Sequence, residues 1–287
     1  MAEASQTKPV RAVRKAALPP GWLPLEHGAP AVMGVLNVTP DSFSDGGQFL
    51  EPSHAIAQTE RMIADGADIV DVGAESTRPY GGQRPVSADD EIARLRPVLK
   101  QVTAFGVPVS IDTMKAKVAR FALETGVAIV NDVWGLQRDS EMARVVADFS
   151  APLVAMHNRN AVDPAIDIMQ DIADFFARTL DIADKAGIAR EKIVLDPGIG
   201  FGKTPDQSMT ALARLTDLHR FGCRLLVGAS RKRFINSVIA AEPHQRIGGS
   251  LAAHLVAARN GAAIIRAHDV AETVQALRVH AAIEGRK

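Results

Sequence analysis

Short apolar segments that alternate with helical periodicity constrain the fold of this chain more than any other feature. Each segment is continuously apolar rather than alternating, which is typical of parallel strands buried on both faces. We therefore predict eight strands, at AVMGVLNV (31–38), DIVDVGAE (68–75), PVSIDT (108–113), AIVNDV (128–133), PLVAMH (152–157), KIVLDPG (192–198), RLLVGAS (224–230) and AAIIRAH (262–268).

The stretches between these strands have apolar residues at helical spacing, for example Ile92, Leu95, Leu99 and Val102. Helix starts are predicted by capping spacing at three pairs: Ser87 with Asp90, Thr204 with Gln207, and Asp269 with Glu272. Glycines stand between a helix and the next strand, where a left-handed backbone is favoured, at Gly66, Gly106, Gly126, Gly187, Gly222 and Gly261.

Eight strands alternating with eight helices predict an α/β protein with a (β/α)8 TIM barrel, a fold that takes roughly 250 residues. The rival is a doubly wound open sheet, which usually has fewer strands, and no G-x-G-x-x-G motif follows the first strand. We predict a single barrel domain at 29–287, after a loosely ordered N-terminal extension at 1–28. The long loops after strands 1 and 2 are expected to be mobile lids over the site.

Composition narrows the range of partners and compartments. Lys plus Arg (33) equals Asp plus Glu (33), which argues against nucleic acid as the main partner. A single cysteine, Cys223, excludes an intrachain disulfide and a cysteine-rich zinc site. We expect no membrane partner, since no apolar run approaches the roughly 20 residues that span a bilayer. The first residues lack the apolar core of a secretory signal, so we expect a cytoplasmic protein.

Polar residues end all eight predicted strands, and in barrels of this type the function lies at those ends. They are Asn37, Glu75 to Arg78, Asp112, Asn131 with Asp132, His157, Asp196, Ser230 to Lys232, and Arg266 with His268. Several also have a purely structural interpretation. Asn37 and Asp196 could cap turns, Asp112 could cap a helix, and His157 is more simply a buried core histidine. Asn131 and Asp132 are adjacent, so only one can face the mouth.

Two chemical groups emerge from these residues. Asp112, Asn131 and Asp196, together with Lys232, suit a nitrogen heterocycle with an amino-amidine edge. A second group suits phosphate, and it consists of Arg78, Arg266 and His268 with glycine-rich loops. The two together predict a ligand with a heterocycle at one end and an anion at the other. An Mg²⁺ ion held mostly by phosphate and water would need one protein oxygen, which Asn37 could supply.

The glycine-rich segment GIGFGKT (198–204) invites comparison with a nucleotide-binding P-loop. That motif needs four residues between its glycines, whereas Gly198 and Gly202 are separated by three. We interpret the segment as a tight strand-to-helix turn with Lys203 in the loop.

The chain resembles the dihydropteroate synthases over residues 31–284. The resemblance rests on GVLNVTPDSFSDGG (34–47), DIVDVGAESTRP (68–79), SIDT (110–113), VND (130–132), LDPGIGFGKT (195–204), GASRKRF (228–234) and IIRAHDV (264–270). It implies an enzyme of folate synthesis, inhibited by sulfonamides, that joins 6-hydroxymethyl-7,8-dihydropterin diphosphate to 4-aminobenzoate through an SN1-like pterin cation. It also implies a homodimer. A pterin-dependent methyltransferase with a similar barrel, and a catalytically silent pterin-binding protein, are the alternatives.

The resemblance also implies roles for individual residues, with Asp112, Arg78 and Lys232 as the catalytic ones. The pterin would contact Asp112, Asn131, Asp196, Gly200, Lys232 and Arg266. The diphosphate would contact Asn37, Arg78, Arg266 and His268, with Mg²⁺ on Asn37. The aminobenzoate would contact Thr77, Pro79, Phe201, Ser230 and Lys232.

Overall fold

A computed structural model describes residues 28–39, 52–75 and 86–286 of the chain. Within these ranges, parallel strands close into a barrel in sequence order. The strands are β1 (Ala31–Asn37), β2 (Ile69–Gly73), β3 (Val109–Asp112), β4 (Ile129–Asp132), β5 (Leu153–Met156), β6 (Ile193–Asp196), β7 (Arg224–Val227) and β8 (Ile264–Ala267). The predicted (β/α)8 barrel is confirmed, and each strand is slightly shorter than predicted.

Helices follow the strands on the outside of the barrel. They are α1 (Pro52–Ala64), α2 (Ala88–Val102), α3 (Ala116–Glu124), α4 (Met142–Asp148), α5 (Ile168–Lys185), α6 (Pro205–Ala213), α7 (Arg233–Val238), α8 (Ile247–Arg259) and α9 (Val270–Glu284). The described ranges contain nine α-helices rather than the predicted eight, because the connection from β7 to β8 holds both α7 and α8. No helix there is long and apolar enough to cross a membrane.

The predicted helix caps are confirmed at two of three positions. Thr204 and Gln207 form a reciprocal capping box at the start of α6. Ser87 caps α2 by accepting a hydrogen bond from the backbone N–H of Asp90. Asp269 is different, because its side chain makes no capping bond and pairs with Arg231 instead. All six predicted helix-end glycines have positive φ, so that prediction is confirmed.

The barrel interior has an apolar layer below a polar one. The apolar layer comprises Ala31, Met33, Ile69, Ile129, Val154, Val194, Leu226 and Ile264. Because side chains on a strand alternate between faces, the next inward position lies two residues further on. That step leads from Ile69 to Asp71 and from Ile264 to Arg266. The carboxyl ends of the strands therefore enclose polar side chains above a dry floor.

Candidate active site

Strand register places four of the inward positions side by side at the barrel mouth. Asn37 on β1 pairs with Gly73 on β2, Gly73 pairs with Asp112 on β3, and Asp112 pairs with Asn131 on β4. A side chain at Gly73 would begin 3.4 Å from the Asp112 Cβ. The glycine thus leaves open space between Asn37 and Asp112.

Arg266 bridges two carboxylates across the barrel mouth. Its Nε donates to Asp71 Oδ2 at 2.7 Å, and a terminal nitrogen donates to Asp112 Oδ2 at 2.8 Å. The arginine stem passes Gly228, which follows β7, and a Cβ added there would lie 3.8 Å from the Arg266 Cβ. The guanidinium is therefore fixed by β2 and β3, although it is carried by β8.

Asp71 is a member of this cluster that the sequence reasoning missed. The same oxygen, Oδ2, also accepts a hydrogen bond from Asn131 Nδ2 at 3.0 Å. Asp71 is completely buried. The sequence does contain a signal for it. Ile69, Asp71 and Gly73 are alternate positions of β2 and therefore share one face, so Asp71 faces the barrel interior in an otherwise apolar strand. A carboxylate at such an inward position needs a partner.

Burial and neighbouring charge shift the ionisation of these groups. Burial raises the pKa of Asp112 to about 7, although Arg266 acts in the opposite direction. Burial likewise raises the pKa of Asp196 to about 6. Burial and the nearby Arg266 lower the pKa of His268 to about 3, so this histidine is neutral near pH 7. Arg266 is the positively charged member of this group. Burial lowers the pKa of its guanidinium, but the carboxylates of Asp71 and Asp112 raise it by more, so the net shift is upward.

Two carboxylate oxygens at the mouth have no hydrogen-bond partner among the described residues: Asp71 Oδ1 and Asp112 Oδ1. Buried acceptors without a donor are costly, typically by about 1–3 kcal/mol each. Ligand N–H groups are a natural partner for such oxygens. The arrangement supports the predicted preference for a nitrogen heterocycle with donors on one edge.

The loop between β6 and α6 meets Lys232, which lies between β7 and α7, at the same mouth. Asp196 Oδ1 accepts the backbone N–H of Gly198 at 2.8 Å, so Asp196 shapes the turn as well as facing the site. The Lys232 Nζ lies 4.0 Å from the centre of the Phe201 ring, a cation–π contact. A side chain on Gly200 would come within 3.3 Å of the Lys232 stem, so its absence keeps the lysine in place.

Lys203 lies beneath this loop and is almost completely buried. Its Nζ contacts the carbonyl oxygens of Gly198 and Phe201 and the Nδ1 of His157, at 2.9, 3.2 and 2.6 Å. In its ammonium form Lys203 has three protons for these three acceptors, although burial lowers its pKa to about 7. His157 in turn contacts Asp171 through Nε2 at 3.0 Å. The strand-to-helix turn is confirmed, and His157 is a paired, buried histidine as we expected.

The Gly198→Ala variant is expected to lose about 3 kcal/mol of unfolding free energy, from left-handed strain and overpacking together. Gly198 has φ 64°, and an added Cβ would lie 1.9 Å from the His157 carbonyl oxygen. Gly222→Ala is the matched control, because its φ is 67° but no atom lies within 4 Å of the new carbon. It should cost about 1–2 kcal/mol. Urea unfolding of both variants checks this, and equal losses would contradict the steric argument.

The loops after β7 and β8 are joined by hydrogen bonds. Ser230 Oγ accepts the backbone N–H of His268 at 3.2 Å and contacts its Nδ1 at 3.1 Å. Next to them, Arg231 binds Asp269 through two nitrogens and is only 34% exposed. Its position next to Lys232 in the sequence predicts a solvated side chain for Arg231, and this prediction is wrong. The ion pair holds Ser230 and His268 against each other.

Comparison with known proteins now identifies the family. The chain matches the family of pterin binding enzymes over residues 33–268. A dihydropteroate synthase from Clostridium beijerinckii is 42% identical over 250 residues, which cover 86% of this chain and 92% of that protein. The chain belongs to the dihydropteroate synthase family. It is therefore a transferase, as the sequence resemblance implies.

Solved structures of dihydropteroate synthases share this fold. The Clostridium difficile enzyme, crystallised in the presence of pteroic acid, is 45% identical, with a TM-score of 0.85 over 89% of this chain and 97% of that one. The Xanthomonas albilineans enzyme with 4-aminobenzoic acid is 40% identical, with a TM-score of 0.85 over 90% of this chain and 94% of that one.

Most residues that the synthase resemblance nominates occupy the barrel mouth. Contacts join Asp112, Asn131 and Arg266 through Asp71, and join Lys232 to Phe201 and Gly200. Their individual roles stay predictions. Thr77, Arg78 and Pro79 lie outside the described residues, as does nearly all of the extension at 1–28.

Asn37 is the one residue that the sequence nominates for a metal. In the described ranges, its side-chain amide has no hydrogen-bond partner, and no group of three acidic, histidine or cysteine side chains could hold a metal ion. An oxygen-only site with one protein ligand suits Mg²⁺, which keeps several waters and binds substrate phosphates. The residues present fit such an ion.

Proposed function

We propose that the chain condenses 6-hydroxymethyl-7,8-dihydropterin diphosphate with 4-aminobenzoate, releasing diphosphate and forming 7,8-dihydropteroate for folate synthesis. The observation that carries this proposal is the convergence of Asp112, Asn131, Asp196, Lys232 and Arg266 at one barrel mouth. Support comes from relatives crystallised with pteroic acid and with 4-aminobenzoic acid, which are the product type and one substrate.

The pterin is held by donor and acceptor matching. Asp112, Asn131 and Asp196 accept hydrogen bonds from the amino-pyrimidinone edge, and the unpaired Asp112 Oδ1 gains a partner. Lys232 donates to the oxygen side of the heterocycle. Gly73 and Gly228 leave room for the flat ring beside Asp112 and Arg266. The apolar layer below keeps the ring from sinking further into the barrel.

The reaction then proceeds by loss of diphosphate. The bond between the pterin methylene carbon and the diphosphate oxygen breaks, and both electrons leave with oxygen. The resulting cation is conjugated with the reduced pterin ring, and the Asp112 carboxylate stabilises its charge. Arg266 and Arg78 bind the leaving diphosphate through their positive charges. His268, whose ring is neutral, donates an N–H to the same diphosphate. The aminobenzoate nitrogen attacks the carbon and then loses a proton.

We propose that Mg²⁺ assists and that Asn37 supplies its protein ligand. The ion supplies charge neutralisation for the leaving diphosphate. The amide of Asn37, which has no hydrogen-bond partner among the described residues and lies next to Gly73 in the register, supports this assignment. We keep Thr77, Pro79, Phe201, Ser230 and Lys232 as the proposed contacts of the aminobenzoate, and a cytoplasmic location as a prediction.

The decisive test mixes purified protein with Mg²⁺, dihydropterin diphosphate and 4-aminobenzoate. Mass spectrometry should detect dihydropteroate, and a phosphate assay with pyrophosphatase should detect an equal amount of diphosphate. The dihydropteroate signal should disappear without aminobenzoate and fall when a sulfonamide is added. Methyl transfer from methyltetrahydrofolate to a corrinoid, with no diphosphate released, would contradict the proposal and favour the alternative methyltransferase.

We also propose that the protein is a homodimer that pairs through α8 and α9. These helices pack side by side and leave Val256, Val279 and Ile283 at 45, 55 and 59% exposure. Exposed aliphatic side chains grouped on two adjacent helices are typical of a subunit interface.

The Val279→Glu/Ile283→Glu variant is expected to be monomeric, because two carboxylates would have to be buried in the interface. Light scattering should give twice the chain mass for the wild type and the single chain mass for the variant. Val238→Glu, at a 71% exposed position on α7, is the control and should stay dimeric. A monomeric wild type would disprove the dimer.

A further inference from the structure

Asp71 holds the side-chain amide of Asn131 in one orientation. Its Oδ2 accepts from Asn131 Nδ2 at 3.0 Å and from Arg266 Nε at 2.7 Å. A carboxylate oxygen that binds a guanidinium can only accept hydrogen bonds, so it can bind the NH₂ group of the amide but not the amide oxygen. The Asn131 NH₂ group must therefore face Asp71, and its carbonyl oxygen must point away from Asp71.

The carbonyl oxygen of Asn131 is the group that remains for a ligand. Among residues 28–39, 52–75 and 86–286, no donor is hydrogen-bonded to this oxygen. Asn131 lies beside Asp112 in the register, and Asp112 Oδ1 is a buried acceptor that has no donor among the described residues. The two neighbouring strands thus present acceptors to the same mouth. An amide left to itself could present either its oxygen or its nitrogen.

We propose that Asp71 is a specificity-determining residue, which turns Asn131 so that the pocket accepts heterocycles with an N–H donor at that edge and rejects those with an oxygen. This rests on the proposed function, in which Asp112, Asn131 and Asp196 face the amino-pyrimidinone edge. Asp71 itself does not touch the ligand. It acts through Asn131, and its bond to Arg266 keeps its own carboxylate in place.

The Asp71→Leu variant removes this acceptor at the end of the side chain. The Asn131 amide then has no fixed partner, so it can present either its oxygen or its NH₂ group to the ligand. Adding Asn131→Asp to Asp71→Leu restores an acceptor in the pocket, because both oxygens of a carboxylate accept. Asp71→Asn is the conservative change, since its amide oxygen can take the place of Oδ2 and still accept from both Arg266 and Asn131.

The test compares two neutral probes, 6-hydroxymethylpterin and its 2-oxo counterpart 6-hydroxymethyllumazine, by calorimetry at a pH where both are uncharged. The wild type should prefer the pterin, since an oxygen would face acceptors. In Asp71→Leu the preference should fall by about tenfold, the cost of one mispaired polar group. In Asp71→Leu/Asn131→Asp it should return, and in Asp71→Asn it should stay close to that of the wild type. Because both probes are neutral, a change of charge affects them alike.

Ser110→Ala is the matched control, since Ser110 is the register partner of Asp71 and its buried Oγ has no described partner. Its probe preference should equal that of the wild type. An unchanged preference in Asp71→Leu, or no return in Asp71→Leu/Asn131→Asp, would overturn the inference. A wild type that binds neither probe would instead count against the proposed function.

A second measurement keeps the test independent of the folding of Asp71→Leu. In wild-type protein, NMR of the Asn131 side chain during titration with 6-hydroxymethylpterin should show a large shift of the carbonyl carbon and a small shift of Nδ2. The reverse pattern would overturn the inference, because it would place the NH₂ group against the ligand.

Discussion

Replacing Asp112 by asparagine is expected to lower kcat about a hundredfold, while the KM for 4-aminobenzoate changes less than threefold. The reason is that the Asp112 carboxylate opposes the positive charge that develops on the pterin as diphosphate leaves. The amine arrives afterwards and does not need this charge. Steady-state kinetics with each substrate varied in turn checks the result. Equal effects on kcat and on the KM for aminobenzoate would contradict this role.

The pH dependence of kcat gives a second check on Asp112. Because its pKa in the folded protein is about 7, the active carboxylate form should be lost as the pH falls through 7. The wild-type kcat should decline there, and the Asp112→Asn profile should lack that decline. The raised pKa also means that the folded state binds the proton more tightly than the unfolded state. The wild type should therefore lose stability relative to Asp112→Asn as the pH rises from about 4 to about 7.

Replacing Arg266 by glutamine is expected to lower the free energy of unfolding by about 3–5 kcal/mol and to abolish most of the activity. The change leaves two buried carboxylates, Asp71 and Asp112, without their shared cation. Without Arg266 the pKa of Asp112 rises further, so the loss of stability should be greatest above about pH 7 and smaller near pH 5. Urea unfolding at both pH values measures the effect.

The control for Arg266 is Arg120→Gln, which breaks a solvent-exposed ion pair with Asp148. Exposed pairs contribute less than about 1 kcal/mol, so this variant should unfold almost like the wild type at both pH values. If Arg266→Gln lost no more stability than Arg120→Gln, the two carboxylates would not depend on Arg266. Arg266 would then not be the cation that stabilises the barrel mouth.

Local sequence signals were sufficient where the physics is local. Strand positions, the caps at Ser87 and Thr204, and the helix-end glycines depend on residues only a few positions apart, and the structure confirms them. The prediction failed at Asp269, where a partner distant in the chain, Arg231, takes the carboxylate that spacing alone assigns to a cap. The same long-range pair explains why Arg231 is not solvated.

The buried polar clusters could not be predicted in the same way. Lys203 looks like an ordinary loop lysine in the sequence, but its acceptors include His157, which β5 brings to it. Asp71 is 195 residues from Arg266, and only closure of the barrel between β8 and β1 makes them neighbours. Strand periodicity shows on which face of the sheet a residue lies, but not which residues it contacts. The motif residues could therefore be predicted from the sequence, whereas the contacts that hold them in place could not.

By itself, the sequence determined that this chain alternates strands with helices and that polar residues end those strands, since both properties are written in residue order and spacing. The tertiary structure decided which of those residues meet. It paired Arg266 with Asp71 and Asp112, buried Lys203 under the glycine loop, and gave Asp112 and His268 their shifted pKa values. Desolvation and the geometry of charge pairs arise only when distant segments come together, so no local pattern could specify them.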